Sequence, residues 1–134
     1  MIFLDASVLL AAEDTDDPHH LAASALLKTG SIATIDLALY ETTNVAEVRW
    51  HDPEASWRLQ QRIWAIAELG TLIRVDQTLA ERVAALVRAH NLSAYDSAYL
   101  AGAERVGATL ASCDERDLVG PGLARTPAEL ILAA

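Results

Sequence analysis

Residues 92–114 read LSAYDSAYLAGAERVGATLASCD, and the spacing of their apolar positions decides the fold class. At about 3.6 residues per helical turn, Leu92, Tyr99, Leu100 and Ala103 share one face with Asp96, so a helix is expected over 94–106. After Gly107, the run ATLASC at 108–113 has strand character and ends on a second acid, Asp114. The same segment poses a chemical problem. A carboxylate on an apolar stripe is costly unless it is hydrogen-bonded, paired, metal-bound or protonated. Asp96 therefore needs a partner, and a backbone amide, an Arg or a cation shared with other acids would each serve.

The alternation continues outward along the chain. MIFLD at 1–5 is a short apolar strand ending in Asp5, followed by the helical ASVLLAA. A second helix is expected from DDPHHLAASALLKTG, with Asp17 as N-cap, Pro18 at the first helical position and Gly30 as terminator. SIATI at 31–35 is the second strand, and Asp36 is then placed to cap a helix through LALYETTNVAEVRW. HDP at 51–53 interrupts that helix, and Asp52 with Pro53 restarts one that runs to about Leu69. TLIRV at 71–75 is the third strand, helices follow at about 77–90 and 94–106, 108–113 is the fourth strand, and a fifth short element is expected near 122–126. Short apolar strands alternating with helices imply an α/β sandwich, a parallel sheet covered on both faces. Ligands of such sheets bind beyond the carboxyl ends of the strands, where Asp5 and Asp114 fall.

Length and composition bound the rest. A chain of 134 residues fits one domain that buries about two thirds of its unfolded surface. No segment approaches the roughly 20 apolar residues of a membrane span, and the N-terminus lacks a signal-peptide pattern, so a cytoplasmic protein is expected. Cys113, the lone cysteine, can close no internal disulfide and reads as a small apolar residue at a strand end. The net charge of −9 comes from 19 acids against nine Arg and the single Lys28. Such a surface repels polyanions at long range and argues against a basic DNA-binding module. Phosphates could still approach if divalent cations neutralise a pocket of acids.

Glu41 repeats the oddity of Asp96: Leu37, Val45 and Val48 lie on its face of a helix. Asp5, Glu41, Asp96 and Asp114 are thus four acids placed where solvation is poor. Like charges a few ångströms apart raise one another's pKa, and hard oxygen-seeking ions such as Mg²⁺ or Mn²⁺ would relieve the conflict. Their convergence is an expectation from strand-end and helix-face geometry.

The N-terminal IFLDAS, an E…N pair at Glu41 and Asn44, LSAYDSAYLAGAERVGATLAS and the following CD together resemble the PIN-domain ribonucleases, in particular the small VapC-type toxins of bacterial toxin–antitoxin pairs. The resemblance covers nearly the whole chain. It implies a three-layer α/β/α sandwich with a five-stranded parallel sheet in order 3-2-1-4-5 and an acidic quartet on Asp5, Glu41, Asp96 and Asp114. The family's hydroxyl two residues after the first acid falls on Ser7. The chain departs from the family at Ser112, where Thr is common, and at Cys113; Asp117 could share or take over the role of Asp114. What the resemblance implies for chemistry is Mg²⁺- or Mn²⁺-dependent hydrolysis of RNA, leaving a 5′-phosphate and a 3′-hydroxyl. Asp5 and Asp96 would be direct ligands, Glu41 and Asp114 would hold a second ion or its waters, and Ser7 would support them. The implied partners are an RNA substrate, a cognate antitoxin and a second copy of the chain, with no membrane and with DNA reached only through the antitoxin.

Several residues have two readings. Arg116 is either a phosphate contact or a solvated partner of Glu115 or Asp117, and Asn44 bonds either Glu41 or substrate. His19, His20, His51 and His90 lack zinc-ligand spacing and read as capping or surface residues. Trp57 and Trp64 project from one side of a helix whose Leu59, Ile63 and Ile66 face the core. These two rings are expected either to be half-covered by a neighbouring helix or to form an interface with an antitoxin or second protomer. Two rival functions remain. A PIN-fold module that binds RNA or protein without cleaving would tolerate loss of the acids, which are all present. A phosphoacceptor or phosphatase-like domain needs a well-placed Lys, whereas Lys28 lies at a helix end, and DAS at 5–7 lacks the second acid of a DxD pattern.

Overall fold

The computed structural model describes residues 1–133. Four strands, β1 (Ile2–Leu4), β2 (Ile32–Ile35), β3 (Leu72–Ile73) and β4 (Thr109–Ala111), form a parallel sheet in the order β3-β2-β1-β4. Their apolar sequences suit a sheet covered on both sides: Phe3, Leu4, Ala33 and Ala111 are fully buried. The central strand is locked to its neighbours by Ile2 opposite both Ile32 and Thr109, and by the Thr34 hydroxyl, which donates to the Leu4 carbonyl at 2.7 Å.

Seven α-helices are described: α1 (Ala6–Glu13), α2 (His20–Leu27), α3 (Leu37–Thr43), α4 (Pro53–Glu68), α5 (Gln77–His90), α6 (Ala94–Val106) and α7 (Pro127–Ala133). The pair α5 and α6 packs on one side, with α6 against β1, β2 and β4, while α1, α3 and α4 form the opposite layer with α2 and α7 beside them. Side-chain caps fix where α1, α4, α5 and α6 begin. Asp5, Asp52, Asp76 and Ser93 accept from the amides of Val8, Ala55, Leu79 and Asp96 at 2.8–3.2 Å, filling donors that a helix start leaves unpaired. Among the described residues no helix is long and apolar enough to cross a membrane.

Four expectations from sequence are corrected. Residues 122–126 do not make a fifth strand: only Arg125 bridges to Ala111, because Leu123 and Ala124 fold back on the Leu118 carbonyl and Thr126 already caps α7 through Glu129. Helix α2 starts at His20, since the Asp17 carboxylate accepts from the His19 amide in a turn and does not cap the helix. Asp36 makes no side-chain cap, although α3 begins directly after it. Finally, the helix expected through Trp50 changes winding. Residues Asn44–Arg49 form a π-helical segment, closed by the Trp50 amide on the Val45 carbonyl at 2.9 Å. The wider turns rotate Val48 outward to 61% exposure and leave Ala38, Thr42 and Ala46 as the buried face. A second π-helical segment, Glu115–Val119, follows β4.

The layer of α6 lies on the sheet because Gly102 leaves room for the Phe3 ring of β1. A Cβ at position 102 would run into the Phe3 Cζ, and Phe3 is fully buried in a close-packed core. Gly102→Ala is expected to destabilise the protein by about 1–3 kcal/mol through overpacking. Urea unfolding of wild type and variant measures it, and an unchanged midpoint would contradict this packing.

Candidate metal centre

The carboxyl ends of β1 and β4 each hand the chain to a helical turn through an aspartate. Asp5 follows β1 and caps α1; Asp114 follows β4 and caps the second π-helical segment, its Oδ1 accepting from the Asp117 amide at 3.0 Å. Ser7 joins the two strand ends: its hydroxyl donates to Asp5 Oδ1 at 2.5 Å and accepts from the Cys113 amide at 2.9 Å. Ser112 accepts from the Asp114 amide at 2.9 Å. Asp5 is only 5% exposed, and burial is the first cause pushing its carboxyl from 3.8 up to about 6. The Ser112 and Ser7 hydroxyls and the Val8 amide oppose this, and the Asp96 charge adds to it.

Glu41 enters from α3 and Asp96 from the first turn of α6. Burial raises the Glu41 carboxyl; the Tyr99 hydroxyl opposes the rise, and the charges of Asp5 and Asp96 add to it. Burial likewise raises Asp96, helped by the charges of Asp114 and Asp117 and opposed by Ser93. Carboxylate oxygens of Asp96, Asp114 and Asp117 lie within 4.8 Å of one another. Five acids from four segments of chain thus lie at one edge of the sheet. Both Asp114 and Asp117 lie beside Asp96, so the two alternatives for the fourth acid occupy the same corner.

Among the described residues, Asp5, Glu41, Asp96 and Asp114 have no Arg or Lys ion-pair partner, so the reading of Asp96 as an acid paired by an Arg is set aside. Asp5 and Asp114 do bond backbone amides, but these satisfy one oxygen of each. Glu41 Oε1 is buried with no hydrogen-bond partner. An orphaned carboxylate oxygen within an all-oxygen donor set and without a counter-charge fits a hard dication such as Mg²⁺ or Mn²⁺.

The remaining residues singled out from sequence lie around this cluster or apart from it. Arg116 is 94% exposed and reaches Asp117 only at 3.9 Å. Asn44 is exposed and lines a groove of about 560 Å³ with Leu39, Tyr40, Gln60 and Trp64; its backbone amide donates to the Glu41 carbonyl, and its side chain makes no bond to the Glu41 carboxylate. Trp57 and Trp64 stand on the outer side of α4, 64% and 43% exposed, while Leu59, Ile63 and Ile66 are buried beneath them. Lys28 ends α2, before β2 begins, at the sheet edge opposite the acids. Cys113 is half-buried, and burial pushes its thiol up to about 12, so it stays protonated. Two hydroxyls escaped the sequence reading. Ser112 and Tyr99 look like packing residues, yet both lie against site carboxylates. For Tyr99 the signal was available: it stands three residues after Asp96, on the same helical face.

The raised Asp5 carboxyl couples to stability with a definite sign. Between about pH 4 and pH 6 the folded chain holds a proton that the unfolded chain, at the ordinary 3.8, has released. Stability without metal therefore falls as pH rises through this window, by at most roughly 3 kcal/mol. Asp5→Asn, which keeps an acceptor for the Val8 amide, is expected to make that fall smaller by the share due to Asp5, leaving the part that comes from Glu41 and Asp96. Chemical denaturation in EDTA at about pH 4 and about pH 7 checks it; parallel behaviour of wild type and variant would contradict a buried, charge-strained Asp5.

The profile of the PIN domain matches residues 2–119 of the chain. Among curated proteins, none matches the sequence significantly. Solved structures with the same fold include a toxin–antitoxin complex from Klebsiella pneumoniae, 20% identical, with TM-score 0.73 over 95% of this chain and 98% of that one. Another is VapC20 of Mycobacterium tuberculosis, a sarcin-ricin loop cleaving toxin, 22% identical, with TM-score 0.71 over 91% of this chain and 95% of that one. FitAcB from Neisseria gonorrhoeae is 17% identical, with TM-score 0.66 over 95% of this chain and 98% of that one. Strands, helices and acid-bearing edge agree with that profile match in assigning the chain to the PIN-domain family.

Proposed function

We propose that the chain is a toxin-type endoribonuclease that hydrolyses RNA phosphodiesters with Mg²⁺ or Mn²⁺ and is neutralised by a cognate antitoxin. The observation that carries this reading is that Asp96, Asp114 and Asp117 bring carboxylate oxygens within 4.8 Å of one another beside the buried Asp5 and half-buried Glu41, and that Asp5, Glu41, Asp96 and Asp114 have no basic partner among the described residues. Fold similarity to a toxin–antitoxin complex and to a sarcin-ricin loop cleaving toxin supports the toxin assignment.

In this reading Asp5 and Asp96 hold the ion directly, with Asp114 and Asp117 offering a second position beside Asp96. When bound, the ion supplies charge relief at the phosphate and lowers the pKa of the attacking water. The chain's own residues do the rest. Ser7 and the Val8 amide fix the Asp5 carboxylate in orientation, as supporting hydrogen bonds do around metal ligands. Glu41, whose Oε1 is buried without a partner, would hold a second ion or its waters. Arg116, fully out in solvent beside Asp117, offers a local contact to a phosphate of single-stranded or looped RNA on an otherwise acidic surface.

Cleavage of a structured RNA is expected with Mg²⁺ or Mn²⁺ and not in EDTA. Asp5→Ala and Asp96→Ala should each lower the rate by at least about 100-fold, above the 10–100-fold typical of residues that only support a ligand. Undiminished cleavage in EDTA, or in both variants, would contradict the proposal.

Trp57 and Trp64 are assigned to a protein interface, with an antitoxin or a second protomer. Their exposure is high for rings of this size, and Trp is enriched where interface energy concentrates. Binding of that partner should shift tryptophan emission to the blue, and Trp57→Ala with Trp64→Ala should weaken binding about tenfold or more. Emission that is the same with and without the partner would rule this surface out.

A further inference from the structure

Tyr99 is among the largest fully enclosed side chains of the protein, 2% exposed, and its hydroxyl has no hydrogen-bond partner. A buried hydroxyl without a partner is unusual and calls for a reason in function or solvent. Three features surround it. Glu41 Oε1, on α3, is also buried and unpartnered, and it lies close enough for the two groups to influence each other without an aligned bond. Asp5 and the Ala6 amide, at the start of α1, face the same hydroxyl. Asp96 lies one turn earlier on the helix that carries Tyr99. One phenol therefore stands where three acid-bearing segments meet.

The surroundings fix what the phenol can do. Burial and the neighbouring carboxylates raise its pKa, so the phenol is a neutral donor. A neutral donor steadies an ionised carboxylate without adding a charge that would compete with a cation. An Arg or Lys there would neutralise the pocket and exclude the ion.

We propose that Tyr99 is a positioning residue, whose hydroxyl donates to Glu41 Oε1 and holds that carboxylate toward Asp5 and Asp96 in the form that receives a divalent cation. The inference rests on the metal-dependent reading of the acid cluster and adds to it a group outside the acids.

The test is calorimetric titration with Mn²⁺ alone on wild type, Tyr99→Phe, Glu41→Gln and the double variant. Tyr99→Phe is expected to raise the Mn²⁺ dissociation constant about tenfold, the scale of a lost supporting hydrogen bond. In the Glu41→Gln background the same change should have no further effect, because the hydroxyl acts through that carboxylate. Without metal, Tyr99→Phe should melt at or above the wild-type temperature, since the hydroxyl removed has no partner. The role of Tyr99 is overturned if the variant binds Mn²⁺ as wild type does. It is equally overturned if its loss adds in full to that of Glu41→Gln, or if the metal-free variant is unfolded or less stable. Should wild type itself take up no Mn²⁺, the metal reading falls and the role of Tyr99 with it; a failure confined to the variant leaves the metal reading standing.

Discussion

Carboxylates repel one another, and at one edge of this sheet the fold brings several of them together with little water to keep them apart. Asp5 sits in the interior with its acidity weakened by burial, and Glu41 and Asp96 are weakened in the same sense by burial and by neighbouring charge. The protein softens the conflict locally. Asp5 and Asp114 each receive an amide at the start of a helical turn, and the Ser7 hydroxyl adds a donor to Asp5. Amides and hydroxyls carry partial charges, which offset part of an ionised carboxylate but not three or more. The remainder is what a dication would supply.

That constraint explains how the surrounding architecture is used. Parallel strands deliver Asp5 and Asp114 to the same edge, and the Ser7 bridge to the Cys113 amide ties those strand ends together. Helix α6 brings Asp96 and Tyr99 on one face, and it can lie close over β1 only because Gly102 accepts the Phe3 ring. The site therefore depends on a contact in the core, on the far side of the helix from solvent. On the outside, α4 buries Leu59, Ile63 and Ile66 and turns Trp57 and Trp64 to solvent.

Much of this was legible in the sequence where local chemistry decides structure. The helices expected at about 77–90 and 94–106 are α5 and α6, which the structure bounds with Asp76 and Ser93 as caps and with Asn91 and Gly107 in the left-handed conformation at φ 54° and 65°. Asp96 stood out as an acid on an apolar stripe, and Asp5 as the end of an apolar run. What escaped depends on contacts between distant segments. The π-helical turn after Asn44 is set by where Asp52 and Trp50 bond back on the chain, so periodicity misassigned Val48 to the interior. Thr126 starts α7 immediately after Arg125, which leaves a bridge where a strand was expected. Tyr99 and Ser112 carry hydroxyls on positions that pattern alone counts as packing.

The most direct measurement is a crystal structure grown with Mn²⁺ and collected at a wavelength where manganese scatters anomalously. The account predicts an anomalous peak bounded by oxygens of Asp5 and Asp96, with Glu41 and the Asp114–Asp117 corner alongside. An acid cluster that stays free of manganese at millimolar concentration, with Asp5 and Asp96 turned to separate backbone partners, would contradict it.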